Sequence, residues 1–144
     1  MNTEIRRLSI ADYDDVIKLW SLAGLPHRPR GRDSRQKFSE ELQLPVVGLF
    51  GLFHNSELLA VGLANYDGRR GWVNRVAVHP DYRGKRLAGE IIRECEQFLR
   101  SRGAVVICAL IEEHNLPSMA AFSKAGYICH NDIKYFSKRE SPDA

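Results

Sequence analysis

The stretch VHPDYRGKRLAGEII, Val78 to Ile92, decides how the chain is read. An apolar run ends at Val78, Pro80 and Gly84 interrupt regular structure, and Leu87, Ile91 and Ile92 resume it at helical spacing. Between the break and the helix stand Arg83, Lys85 and Arg86. A helix N-terminus carries unpaired N–H groups and a partial positive charge, so phosphate settles there readily. Gly84 lets an anion approach the backbone, and the cations add charge. Strand 72–78, loop 79–84 and helix 85–102 therefore offer a seat for a pyrophosphate; the competing reading is a solvated helix entrance. Neither GxxxxGK[ST] nor GxGxxG occurs, so the usual nucleotide fingerprints do not apply.

Working outward, residues 46–54, 57–66 and 72–78 read as three consecutive antiparallel strands, turning at Asn55-Ser56 and at Asp67-Gly68. Upstream, residues 4–10 suggest a strand and 12–23 a helix stopped by Gly24 and Pro26. The Arg-rich segment PHRPRGRDSRQKF follows, with Asp33 or Ser34 placed to cap a second helix through Leu42. Downstream, Ala104 to Ile111 is nearly continuous apolar sequence, as expected of a central strand covered on both faces. Pro117 suits the first turn of a last helix ending near Gly126, and residues 127–137 predict one or two more strands. The order is β, α, α, β, β, β, α, β, α, β, β: one domain over 1–138, with 139–144 as a loose tail.

The 144 residues, 44% apolar and 27% charged, can bury one sizeable core. A net charge of +3 is mild, but its cations cluster in 28–37 and 83–86, which points to local anionic partners. Cys95, Cys108 and Cys129 lack CxxC spacing and the five histidines lack ligand spacing, so neither a disulfide framework nor a metal site is expected. The first residues lack a signal-peptide core and no apolar run could span a bilayer, which together suggest a cytoplasmic protein without a membrane partner.

RGKRLA resembles the acyl-CoA pyrophosphate loop of the GNAT N-acetyltransferase superfamily: Arg or Gln, two residues, Gly, one residue, Gly or Ala. Arg83 and Ala88 match its ends, and Arg86 stands where the middle glycine is usual. Arg86 can supply its amide with a negative φ; a positive one would count against the match. VNRVAVHPDYRGK is similar to the family's fourth strand and exit, and HNLPSMAAFSKAGY resembles its Asn-plus-helix motif, closing on Lys124, Ala125, Gly126 and Tyr127. The resemblance covers nearly the whole chain. It implies an α/β (α+β) GNAT fold, with a mostly antiparallel mixed sheet of about seven strands, a splay between the fourth and fifth, and about four flanking helices.

It further implies acetyl-CoA as co-substrate, its pantetheine arm along Val76, Ala77 and Val78 and its pyrophosphate on Arg83, Gly84, Lys85, Arg86, Leu87 and Ala88. Asn115 matches a position beside the cofactor arm, although a cap for the Pro117 helix explains it equally well. The implied reaction is direct attack of a primary amine on the thioester, which needs a neutral amine and a proton for the departing thiolate. Where many relatives carry a Tyr acid stands Phe122, and Asn74 and Leu110 occupy strand positions often held by a carboxylate base. Freeing a lysine-like amine at pH 7 costs about 4.6 kcal/mol and an α-amine about 1.4 kcal/mol, so a low-pKa amine is favoured.

Glu112, Glu113 and His114, at the strand exit, are the candidate replacements; a solvated strand end explains them too. Cys108 and Tyr135 are weaker candidates, and His79 reads as structural. Arg28, Arg30 and Arg32, with Asn74, are the candidate acceptor-binding residues, suited to an anionic small molecule, while a protein N-terminus also fits. A catalytically silent acyl-CoA-binding module is the alternative. Nucleic acid is unlikely, because exposed aromatics do not alternate with the arginines. The resemblance leaves a homodimer open.

Overall fold

The computed structural model describes residues 1–144. β1 (Glu4–Arg7) leads through Ser9, whose hydroxyl accepts from the Ala11 amide while the Asp12 carboxylate accepts from the Ser9 amide, into α1 (Tyr13–Ala23). α1 ends at Gly24. α2 (Arg35–Leu42) is capped by the Ser34 hydroxyl, which accepts from the Lys37 amide. β2 (Val47–His54), β3 (Glu57–Tyr66) and β4 (Gly71–Val78) follow as a meander. Asn55 and Ser56, at φ 50 and 66, make the left-handed two-residue turn that matches strand twist. At the second turn the Asp67 carboxylate accepts from the Arg69 and Arg70 amides and the Trp72 indole, which pulls its pKa down to about 2. α3 (Leu87–Ser101), β5 (Ile107–Cys108) and α4 (Leu116–Lys124) complete the chain.

The strands lie in the order β1-β2-β3-β4-β5; the first three junctions are antiparallel and β4–β5 is parallel. α3 buries Leu87, Ile91, Ile92, Cys95, Phe98 and Leu99 against one face of the sheet. α1 covers the other with Val16, Leu19 and Trp20, joined by Phe38 of α2. Each such side chain contributes about 1.5–3 kcal/mol of burial, so the sheet is held from both sides and its strand ends are free to build a site.

Two local features shape that site. Val61 pairs with Ala77 and Leu63 with Asn74, so β4 carries one residue more than β3, a bulge at which Arg75 takes φ 58. Opposite the bulge, α3 rides close over Gly62, where a Cβ would collide with Ile91 Cγ2 and lie 3.2 Å from Cys95 Sγ.

The sheet has five strands where the sequence suggested about seven. Residues 127–137 form no strand, and Ile128, Ile133, Tyr135 and Phe136 are exposed. The expected central strand 104–111 is instead a two-residue edge; Ala104 is buried, but Val105, Val106 and Leu110 face solvent. Val and Ile signal a readiness to extend, whereas burial of both faces depends on neighbouring strands, and here none lies beyond β5. No helix is long and apolar enough to cross a membrane.

Candidate functional site

β4 and β5 pair only at Gly71 with Ile107 and Trp72 with Cys108, then part. Beyond that point a side chain bridges them: Asn74 Oδ1 accepts from the Leu110 amide at 3.2 Å. The gap opens into a cleft of about 1920 Å³, walled by Asn74 to Val78 on β4, by Leu110, Ile111, Glu112, His114 and Asn115, and by Phe122 of α4. One end is the entrance to α3; the other is the underside of α1 and α2.

At the first end, His79 Nδ1 accepts from the Asp81 amide and packs edge-on against Tyr82 at 5.4 Å, so it shapes the loop. Gly84 has φ 80 and Arg86 φ 65. The negative φ expected for Arg86 is therefore overturned, which counts against the match of this loop to the family's pattern: the turn is left-handed there, and a side chain in that conformation costs about 1–2 kcal/mol. Arg86 gives α3 no side-chain cap, and the first intrahelical bond runs from the Glu90 amide to the Arg86 carbonyl at 3.3 Å. The amides of Leu87, Ala88 and Gly89 precede it without a side-chain cap, and these residues line the cleft together with Arg83 and Lys85. The loop thus has the donor set and charge for a pyrophosphate.

Along the cleft, Phe122 is buried, with its ring edge-on to Tyr127 at 5.0 Å, and offers no proton. The Tyr127 hydroxyl donates to Glu96 at 2.7 Å; burial and that bond push its pKa upward. Asn115 caps α4, its Oδ1 accepting from the Ser118 amide, and also lines the cleft. Glu112 and His114 line the cleft as an exposed pair 3.3 Å apart. Glu113 is exposed and is not among the residues that line the cleft.

At the α1–α2 end, Arg32 lines the cleft with Nε 3.7 Å from Asp33 Oδ2, whereas Arg28 and Arg30 do not line it. The loop turns in a way that spends Arg28 on backbone bonding: its amide donates to Asp33 Oδ2 at 2.6 Å, and its carbonyl accepts from the Gly31 and Asp33 amides. Sequence reasoning missed the residues that organise this wall. Arg75, on the bulge, donates to Asp33 Oδ2 and to the Pro26 carbonyl, each at 2.7 Å, and lies 4.2 Å over the Trp20 ring. Burial pulls its pKa down and Asp33 pulls it back up. Glu41, in the last turn of α2, lines the cleft; burial, then Asp33, raises its pKa against Arg75 and Arg32. A lone arginine inside the apolar run VNRVAV was the one available signal for Arg75.

Comparison with known proteins agrees with this geometry. The paia N-acetyltransferase of Thermoplasma acidophilum, solved with coenzyme A, superposes with a TM-score of 0.73 at 21% identity, covering 86% of this chain and 88% of that one. Glucosamine-6-phosphate N-acetyltransferase from Arabidopsis thaliana gives 0.74 at 19%, over 98% and 100% of the two chains. The aminoglycoside antibiotic 6'-N-acetyltransferase of Acinetobacter baumannii gives 0.78 at 15%, over 97% and 100%. These likenesses show the shared fold. Residues 13–127 match the model of the Acetyltransferase (GNAT) family, whose co-substrate is acetyl-CoA. With most of its length inside that match, the chain belongs to the GNAT acetyltransferase family.

Proposed function

We propose that this acyltransferase is an N-acetyltransferase that moves the acetyl group of acetyl-CoA to a primary amine by direct attack within a ternary complex. The observation that carries the reading is the open gap between β4 and β5 that ends on the uncapped entrance to α3. The pyrophosphate would sit on the amides and cations of Arg83 to Ala88, and the pantetheine arm along Val76, Ala77 and Val78, whose strand edge lacks a partner on the β5 side. Asn115 and Phe122 would border the arm. The thioester supplies the electrophile; the chain supplies orientation, which can by itself offset several kcal/mol of barrier.

With Phe122 in place of a hydroxyl, the sulfur's proton would come from Glu112, His114 or Tyr135, which line the cleft, or from water, and a low-pKa amine gains the advantage. A small molecule or a protein N-terminus fits the cleft as acceptor. Arg32, the cation of the 28–32 segment that lines the cleft, would meet it. We further propose one catalytic domain over 1–138 acting in the cytoplasm.

The second reading, a silent CoA-binding module, rests on Phe122 being buried and unable to donate. Thiol release from acetyl-CoA across an amine panel, at about pH 7 to 9, separates the two. Turnover with any amine supports the transferase; calorimetric CoA uptake without turnover supports the module; no uptake removes both.

A further inference from the structure

Residues 25–34, between α1 and α2, form turns without helix or strand, yet they set one wall of the cleft through Leu25, Pro26, Arg32 and Asp33. Both hydrogen bonds that tie this segment to the sheet come from Arg75, which donates to the Pro26 carbonyl and to Asp33 Oδ2, each at 2.7 Å. Asp33 Oδ2 also accepts from the Arg28 amide at 2.6 Å, so the carboxylate that Arg75 grips is the one that closes the segment on itself. The pair is secluded: side-chain exposure is 17% for Arg75 and 10% for Asp33, and the guanidinium lies 4.2 Å over the buried Trp20 ring. Arg75 holds φ 58 on the bulge, between Asn74, which bridges to Leu110, and Val76. Backbone strain of that kind persists only where its surroundings over-determine it, and it gathers at functional sites.

We infer that Arg75 is a positioning residue for the transfer: from β4 it fixes the 25–34 segment, and so sets where the acceptor stands relative to an acyl group carried along Val76 to Val78. The acceptor's place rests on the transferase reading above. One guanidinium joins the strand bulge to the segment, and its planar fork satisfies two acceptors in fixed directions, which a lysine ammonium does not reproduce. Because Phe122 leaves the reaction reliant on orientation, a wall displaced by about 1 Å is felt strongly. Removing the guanidinium would leave the secluded Asp33 carboxylate without its nearest cation, and the segment is the part that loosens first.

The test compares the wild type with Arg75→Met, Arg75→Lys and Asp33→Asn, the last of which keeps an acceptor for the Arg28 amide. The acceptor probe is glycinamide, a small α-amine, or the fastest amine of the panel where glycinamide is inert. Expected in Arg75→Met is a kcat at least about tenfold lower at saturating acetyl-CoA, with calorimetric CoA affinity within about twofold of the wild type. Arg75→Lys and Asp33→Asn should fall between. Trypsin gives a readout independent of turnover, since Arg30 and Arg32 lie in the segment and Arg69 in the turn between β3 and β4. In Arg75→Met, cleavage after Arg30 or Arg32 should accelerate about tenfold or more while cleavage after Arg69 does not. An unchanged kcat per folded molecule, or an equal acceleration at every site, would overturn the assignment and leave a pair that serves stability alone. If Arg75→Met does not fold, Arg75→Lys and Asp33→Asn decide by the same two readouts. If the wild type turns over no amine, the transferase reading fails, while selective cleavage keeps Arg75 as the residue that holds the segment and uniform cleavage removes that role too.

Discussion

Asn74 Oδ1 accepts the Leu110 amide two positions beyond the last paired residues of β4 and β5, so a side chain, not the backbone ladder, spans the mouth of the gap. Asn74→Ala should destabilise the protein by about 1 kcal/mol, the worth of one such bond, measurable by urea unfolding. Asn74→Asp keeps an acceptor for Leu110 and adds an ionisable group; the pH profile of kcat/KM should gain an acidic limb absent from the wild type. An unchanged profile would place position 74 outside the reacting region.

Arg86 holds φ 65 without the freedom of glycine. Arg86→Gly should therefore raise unfolding free energy by about 1 kcal/mol, the strain relief less the added flexibility of the unfolded chain. Its CoA affinity should fall, within about tenfold, because a cation beside the pyrophosphate is lost. The opposed signs distinguish strain kept for binding from strain without use; calorimetry and denaturation on the same preparation give both.

Phe122→Tyr returns a hydroxyl to the cleft. Because Phe122 is only 4% exposed, some stability is lost unless that hydroxyl finds a partner. With the proton delivered locally, kcat should rise about tenfold or more. A folded variant with unchanged kcat would show that water already protonates the thiolate adequately.

Glu41 gives a pH signature. Its folded pKa lies above the unfolded 4.5, so the unfolded state ionises first. Stability is greatest below that value and declines as pH rises through the raised folded pKa, after which the deficit is constant. Glu41→Gln should match the wild type in acid and exceed it near neutrality in urea melts. Parallel curves at all pH values would mean that the carboxylate is solvated.

The meander was readable because Asn55-Ser56 and Asp67-Gly68 punctuate apolar runs that the sheet, covered on both faces, buries almost continuously, and the helices because Leu87, Ile91 and Phe98 recur at helical spacing. The entrance to α3 was readable for the same local reason: a break, a glycine and cations between Pro80 and Arg86. The Asp33–Arg75 pair was not, since the two residues lie far apart in sequence and meet only in the folded chain, and a bulge is a mismatch between two strands that neither reveals alone. The strands expected after Ala104 and after Gly126 failed differently: their residues are apt, but an edge two residues long gives the second segment nothing to pair with.

The hydrogen that serves as the Gly62 side chain sets a mechanical dimension. α3 is a stiff rod resting on β3 at that point, and its leading turn forms one jaw of the cleft. A methyl group at position 62 would strike Ile91 and crowd Cys95, act as a shim under the rod and pivot the leading turn relative to β4. The aperture of the cleft is thus calibrated from behind, at a close approach between helix and sheet.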